Sequence, residues 1–278
     1  MSYLVKEVDS KDVFFFKKVL RKKNKSRVIY SVDDKSSSIY KDMEKSISKR
    51  FICEISKKEN FLIKKVPYAY YPGRSANQNA KAHQPFDFTL SMDIRDHFTS
   101  ITPKMVDWLL TPRELYLCFI DGSLPQGLST SPVISNIAMM EVDRAILSEL
   151  SNVVSNGSEP INGFVYRIKN FRYTRYSDDL VVSFNLHEPS MHLHRRIFLY
   201  IEALISKTIR QFGFEPNNNK VKMQNEKSGF RVITGISVSR EIIKPTRKTK
   251  RKLRSAIHNA NIDNAIGLYN WIKLVSRT

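Results

Sequence analysis

The stretch FRYTRYSDDLVVSF, residues 171–184, decides the fold. Aromatic and β-branched residues run on both sides of Ser177, Asp178 and Asp179, so two strand-like segments meet at a turn. The result is a hairpin with two acids at its tip. On a regular strand, adjacent Asp178 and Asp179 would point to opposite faces. At a tight turn both lean toward one point. An isolated Asp-Asp pair also suits a polar surface turn, so chemistry is assigned only if a second acid-bearing strand exists.

That strand is FDFTLSMDI, residues 86–94, with apolar alternation at Phe88, Leu90 and Met92 and an end at Asp93-Ile94. Asp93, Asp178 and Asp179 then supply three carboxylates from separate strands. Joining a nucleotide to a growing strand uses two divalent ions, one on the attacking hydroxyl and one on the triphosphate and leaving group. Mg²⁺ takes a few carboxylates and completes its shell with phosphates and water.

Charge points the same way. Lysine and arginine number 46 against 27 acids, a formal net charge of +19, which calls for a polyanionic partner. The cations cluster at the ends of the sequence. Lys17, Lys18, Arg21, Lys22, Lys23, Lys25 and Arg27 form one run. Lys244, Arg247, Lys248, Lys250, Arg251, Lys252 and Arg254 form the other. Asp93, Asp96, Asp178 and Asp179 lie between them. Basic ends suit phosphates, and an acidic centre suits the metals.

Other classes are excluded. At 41% hydrophobic residues the chain builds a core. No apolar stretch approaches the roughly 20 residues of a membrane span. The start, MSYLVKEVDS, lacks an apolar signal core. Cys53 and Cys118 stand singly in apolar surroundings, as reduced thiols of a cytoplasmic protein.

Periodicity supplies the remaining elements. Ile39, Met43, Ile47, Phe51, Ile52 and Ile55 predict a helix, which PYAYYPGRS then breaks. Thr102 and Pro103 open a second helix. Thr130 caps a long helix to about Leu150, buried through Val133, Ile134, Ile137, Met140 and Ile146. SNVVSNGSEPING reads as a surface loop, and Ser190 opens a helix that Gly213 closes. A short strand pair follows, near residues 220–223 and 230–238, and then a basic helical tail.

Three segments together resemble reverse transcriptases. Tyr176-Ser177-Asp178-Asp179 looks like their YxDD box. Asp93-Ile94 through Ser100-Ile101 is similar to their first acidic motif. Leu124-Pro125-Gln126-Gly127 with Thr130-Ser131-Pro132 and Asn136 resembles LPQGxxTSPxxxN. They occur in the family's order, and the likeness spans roughly residues 27–235. Two more segments narrow it. Asn79-Ala80-Lys81-Ala82-His83 fits NAxxH and Ile233-Thr234-Gly235 is close to VTG, both associated with retron enzymes.

The resemblance implies an α/β (α+β) right-hand polymerase fold with fingers at 1–85, an antiparallel-sheet palm at 86–238 that includes the motif at 121–136, and a small helical thumb at 239–278. It implies two Mg²⁺ ions on Asp93, Asp178, Asp179 and the Ile94 carbonyl. Phe98 would bar a 2′-hydroxyl, although a core phenylalanine reads the same way. Gln126 and Gly127 would lie near the incoming dNTP. Lys220 would meet its phosphates or be an exposed strand lysine. Arg27 would clamp the triphosphate. His97 stands where an aromatic is usual and reads as packing. Asn79, His83, Arg247, Lys248, Arg251 and Arg254 would bind nucleic acid.

The implied partners are a structured noncoding RNA, its DNA product and an effector protein encoded nearby, in defence against phage, with no membrane. The implied reaction is RNA-directed DNA synthesis from an RNA 2′-hydroxyl. A defence-type or intron-type enzyme with another primer, or a non-catalytic RNA-binding module, are the alternatives. The family's thumb usually continues past the stretch like residues 265–275, whereas this sequence ends at Thr278.

Overall fold

The structure, a computed structural model, describes residues 2–8, 11–22, 25–157, 167–187 and 194–276. By internal contacts the chain divides into two units, each assembled from separate stretches of sequence. The first holds residues 1–65, 95–144 and 212–215, and the second holds 66–94, 145–211 and 216–278.

The first unit opens with an antiparallel meander of β1 (Ser2–Val8), β2 (Lys11–Lys22) and β3 (Lys25–Val32), in the order β1-β2-β3. Helix α1 (Asp34–Ile55) follows, capped by the Asp33 carboxylate, which accepts from the Ser36 amide. It buries Tyr40, Ile47, Phe51 and Ile55. Val13, Phe15, Tyr40, Leu117, Ile120 and Leu128 form a core under the meander. Within it the Tyr40 hydroxyl donates to the Leu117 carbonyl at 2.8 Å.

The second unit begins with α2 (Ala76–Ala82) and β4 (Phe88–Arg95). Helix α3 (Pro112–Cys118) belongs to the first unit and starts with a reciprocal capping box of Thr111 and Glu114. Helix α4 (Ser131–Ala138) and the first turn of α5 (Met140–Asn156) also belong to the first unit, and β5 (Ile168–Tyr176), β6 (Asp179–Leu186) and α6 (His194–Gln211) to the second. Short β7 (Glu215–Pro216) and β8 (Lys222–Asn225) lead to a three-stranded sheet of β9 (Arg231–Ile233), β10 (Ile236–Val238) and β11 (Ile243–Pro245). Helices α7 (Arg247–His258) and α8 (Ile262–Ser276) end the description. The main sheet runs β5-β6-β4-β7, with β8 also paired to β4. The mixture of helices with antiparallel sheet is the expected α+β class.

Several local expectations change. Thr102 makes no side-chain cap, and Pro103–Met105 is a single 3-10 turn. The helix after Thr130 is broken at Met139, and Thr130 forms no cap hydrogen bond. Residues 151–156, expected as loop, continue α5, while 158–166 and Ser190 lie outside the described residues. Lys220 ends a 3-10 turn rather than a strand. Strand β8 pairs with β4, and the segment near 230–238 folds back on itself as β9 and β10. Cys53 is exposed, so only Cys118 has apolar surroundings. No helix among the described residues is long and apolar enough to cross a membrane.

Candidate active site

The central strand pair of the second unit places the acids. Strand β4 pairs with β6 from Phe88–Phe184 to Asp93–Asp179. Strand β5 pairs with β6 up to Tyr176–Asp179, so Ser177 and Asp178 form a two-residue hairpin loop. Ser177 sits at φ +60°, a left-handed geometry that costs a residue with a Cβ about 1 kcal/mol. The Ile94 amide donates to the Asp178 carbonyl at 3.0 Å, tying the hairpin tip to the end of β4. Asp93, Ile94, Asp178 and Asp179 thus come together.

The Asp93 carboxylate is held by two side chains that follow β7. Lys220 Nζ lies 2.6 Å from Asp93 Oδ2, and Asn217 Nδ2 donates to Asp93 Oδ1 at 2.9 Å. The Asn217 amide also donates to the Asp93 carbonyl at 2.7 Å. Burial pushes the Asp179 carboxyl up to about 6, and the charges of Asp178 and Asp93 add to it, against Lys220 and Lys222. So much negative charge in one place favours a bound cation.

The donors, three carboxylates and a backbone carbonyl, fit a hard divalent ion such as Mg²⁺. Among the described residues no three His, Cys, Asp or Glu side chains are already arranged to hold an ion. The Lys220 ammonium occupies one Asp93 oxygen instead. Asn217 was passed over in the sequence, where it is one of three consecutive asparagines. Its only signal was its place three residues before Lys220.

A buried polar network underlies the acids. His83 Nδ1 lies 2.9 Å from Ser183 Oγ, and Nε2 lies 2.7 Å from Thr174 Oγ1. Thr89 Oγ1 is 2.7 Å from Ser183 Oγ. Arg231 donates to the His83 carbonyl at 2.9 Å and to Thr89 Oγ1 at 3.1 Å, and pairs with Glu226 at 3.0 Å. Burial, helped by Arg172 and Arg231, pushes the His83 imidazole down to about 3, so it is neutral. Asn79 and His83 were expected to bind nucleic acid. Both are 0% exposed, and His83 spends both ring nitrogens within the unit. His83 ties Thr174 of β5 to Ser183 of β6, whereas the buried side-chain amide of Asn79 makes no hydrogen bond among the described residues.

The remaining expected residues lie elsewhere. Half-buried Phe98 meets His97 edge-on at 5.5 Å. His97 is buried, 2.8 Å from Ser135 Oγ and stacked on Phe214. The Gln126 carbonyl accepts from the Tyr30 amide at 2.7 Å. Gly127 has φ +106°, and a Cβ there would lie 2.3 Å from the Tyr30 carbonyl oxygen. The close approach it permits in this structure is therefore to β3. Arg27 is exposed on β3, and Arg247, Lys248, Arg251 and Arg254 are exposed on α7.

Comparisons with known proteins identify the family. Residues 17–238 match the family model described as reverse transcriptase (RNA-dependent DNA polymerase). The chain is similar to the retron Ec73 reverse transcriptase of Escherichia coli, 28% identical over 210 residues, covering 67% of this chain and 60% of that one. It is also similar to the retron Mx162 reverse transcriptase of Myxococcus xanthus, 27% identical over 226 residues, covering 69% and 43%. The chain spans about half the length of the curated relatives it matches. Among solved structures, the foamy viral protease-reverse transcriptase with double-stranded DNA gives a TM-score of 0.47 at 13% identity, covering 92% of this chain and 37% of that one, a likeness too weak to carry an argument. The family match runs unbroken through both acid-bearing strands and most of the sequence, and the chain belongs to the reverse transcriptase family.

Proposed function

We propose that this protein is an RNA-directed DNA polymerase of the retron type. The observation that carries the reading is the direct pairing of Asp93 with Asp179, with Asp178 in the adjoining turn tied to Ile94. Asp93, Asp178, Asp179 and the Ile94 carbonyl would hold two Mg²⁺ ions, which supply Lewis-acid activation of the hydroxyl and of the triphosphate when bound. In the reaction a hydroxyl oxygen bonds to the α-phosphorus of a dNTP, the bond to pyrophosphate breaks, and the hydroxyl proton is lost. Asn217 fixes the Asp93 carboxylate for this step, and Lys220 offers an ammonium to the departing phosphates. The reading keeps fingers at 1–85, a palm at 86–238 and a thumb at 239–278, with Arg27, Phe98, Gln126 and Gly127 as nucleotide-binding residues. The exposed cations of α7 would hold phosphates.

The relatives' names support the word retron alone, and the finer reading extends it from the sequence segments Asn79–His83 and Ile233-Thr234-Gly235. The primer would be a 2′-hydroxyl of a partner noncoding RNA, and the product single-stranded DNA branched to that RNA, acting with an effector protein in cytoplasmic defence. The experiment is to recover nucleic acid that co-purifies with the protein and treat it with debranching enzyme. Release of DNA with a short RNA stub supports it. DNA with a free 5′ end, or joined to a protein side chain, contradicts the retron reading and leaves the polymerase reading standing.

A further inference from the structure

Asn217 and Lys220 stand three residues apart, and the fold uses that spacing. Asn218–Lys220 is a 3-10 turn with Asn217 at its start, closed by the Lys220 main-chain amide on the Asn217 carbonyl at 2.9 Å. Side chains three apart in such a turn point the same way. Here both reach Asp93. Asn217 Nδ2 donates to Oδ1 at 2.9 Å, and Lys220 Nζ donates to Oδ2 at 2.6 Å. One turn thus engages both oxygens of one carboxylate.

The two donors are not equivalent. The side-chain amide of Asn217 is neutral, and Oδ1 keeps a lone pair for another partner. It orients the carboxylate without opposing a cation. The Lys220 ammonium carries a full charge, and a divalent ion approaching Oδ2 is repelled by it. The ammonium balances charge, because Asp93 is 6% exposed and directly paired with Asp179, and Asp178 adjoins them. Carboxylates this crowded repel one another. Exposure decides which partner moves. The Lys220 side chain is 50% exposed and that of Asp93 only 7%. The lysine can swing into water on its flexible stem, whereas the acid is fixed in β4.

We propose that Lys220 is the resident counter-ion of Asp93 and gives up Oδ2 when the acids bind a divalent ion. The charge that holds the acids together beforehand is then released, beside the site, for phosphates. Lys220 acts on the ion through Asp93, as a positioning residue. The inference rests on the reading of Asp93, Asp178 and Asp179 as metal ligands, and adds the order in which cations use Asp93.

The test uses the full chain with neither nucleic acid nor nucleotide, and two readouts independent of polymerisation. The first is affinity for Mn²⁺, an ion with the same preference for oxygen ligands, followed by the electron paramagnetic resonance of the free ion. Lys220→Met should tighten Mn²⁺ binding roughly fivefold, the loss of a competing charged bond discounted for a half-exposed lysine. Lys220→Arg, which keeps the charge and can still pair, should stay near the unaltered chain. Lys222→Met removes the same charge from a side chain with no ion pair, and should tighten binding by less than about twofold. The second readout is acetylation by a water-soluble succinimidyl ester, located by mass spectrometry. Adding Mg²⁺ should raise the labelling of Lys220 several-fold and leave Lys222 little changed.

Unchanged or weaker Mn²⁺ binding by Lys220→Met would overturn the proposal. So would labelling of Lys220 that stays level or falls with Mg²⁺. Equal tightening by Lys222→Met would overturn it too, since the local field rather than possession of Oδ2 would then set the affinity. Asp179→Asn separates this inference from the reading beneath it. If that variant binds Mn²⁺ as well as the unaltered chain, the acids are not the metal site. If it loses the ion while Lys220 shows no response, only the exchange fails.

Discussion

Asp93 and Asp179 are a directly paired couple across β4 and β6, in register with the pair Thr89 and Ser183 four residues along each strand. Side chains alternate with a period of two, so both couples share one face of the sheet. His83 bonds Ser183 from that face and Arg231 bonds Thr89. A slip of one residue would send an acid to the opposite face. The buried network therefore fixes the register on which the acidic site depends.

His83→Ala should destabilise the protein by about 2–4 kcal/mol, from a cavity and two hydroxyls left short of a partner. His83→Gln, which can reach both hydroxyls, should recover much of this. The pH dependence separates packing from charge. The folded imidazole sits at about 3 and the unfolded one near 6.5, so between those values the unfolded chain binds the extra proton. Its contribution is complete above pH 6.5 and declines by up to about 1.4 kcal/mol per pH unit as pH falls toward 3. Denaturant midpoints from pH 7 to 4 should fall less steeply in His83→Gln. Equal slopes would mean that the histidine does not titrate as a buried neutral group.

Asn217→Ala should leave RNA affinity alone and raise the Mg²⁺ concentration needed for half-maximal incorporation about tenfold, the loss of one hydrogen bond to a charged group. The measurement is incorporation rate against Mg²⁺ at saturating RNA. A unchanged requirement would show that the main-chain bond from Asn217 suffices.

Gly127→Ala should destabilise the first unit by more than about 1 kcal/mol, because a Cβ would collide with the backbone of β3 at a positive φ. Protease sensitivity near Tyr30 and Gln126 should rise together. An unaffected melting curve would mean that the loop pulls away from β3 at no cost.

Neutralising Arg247, Lys248 and Arg251 on α7 should lower the slope of log affinity for RNA against log salt by about 2. The slope, taken from binding at several salt concentrations, is the readout. If slope and affinity both stay the same, the basic face of α7 is only solvated.

The hairpin and β4 were legible because their signal is local: alternation, then acids at a turn. The same holds for α1, α6 and α7, whose periodicity survives without neighbours. The meander was hidden, since VFFFKKVLRK reads as charge until its register partners are known. The break at Met139 has no Gly or Pro to announce it. NAxxH was visible as a pattern, but nothing in the letters says that Asn79 and His83 are fully buried. Gly127 announced a close approach without naming β3 as the neighbour. Asn217 needed the fold, because its partner Asp93 is remote in sequence and its role lies in that contact.

The most direct measurement of the account is RNA-templated incorporation of dNTPs by Asp179→Asn beside the unaltered chain, with RNA affinity and melting temperature recorded on the same samples. The substitution keeps size and shape and removes one carboxylate from the paired couple. The account predicts that incorporation is abolished while the protein stays folded and binds RNA as before, since phosphate affinity comes from basic surface away from the acids. Near-normal primer extension by a folded Asp179→Asn protein would contradict it.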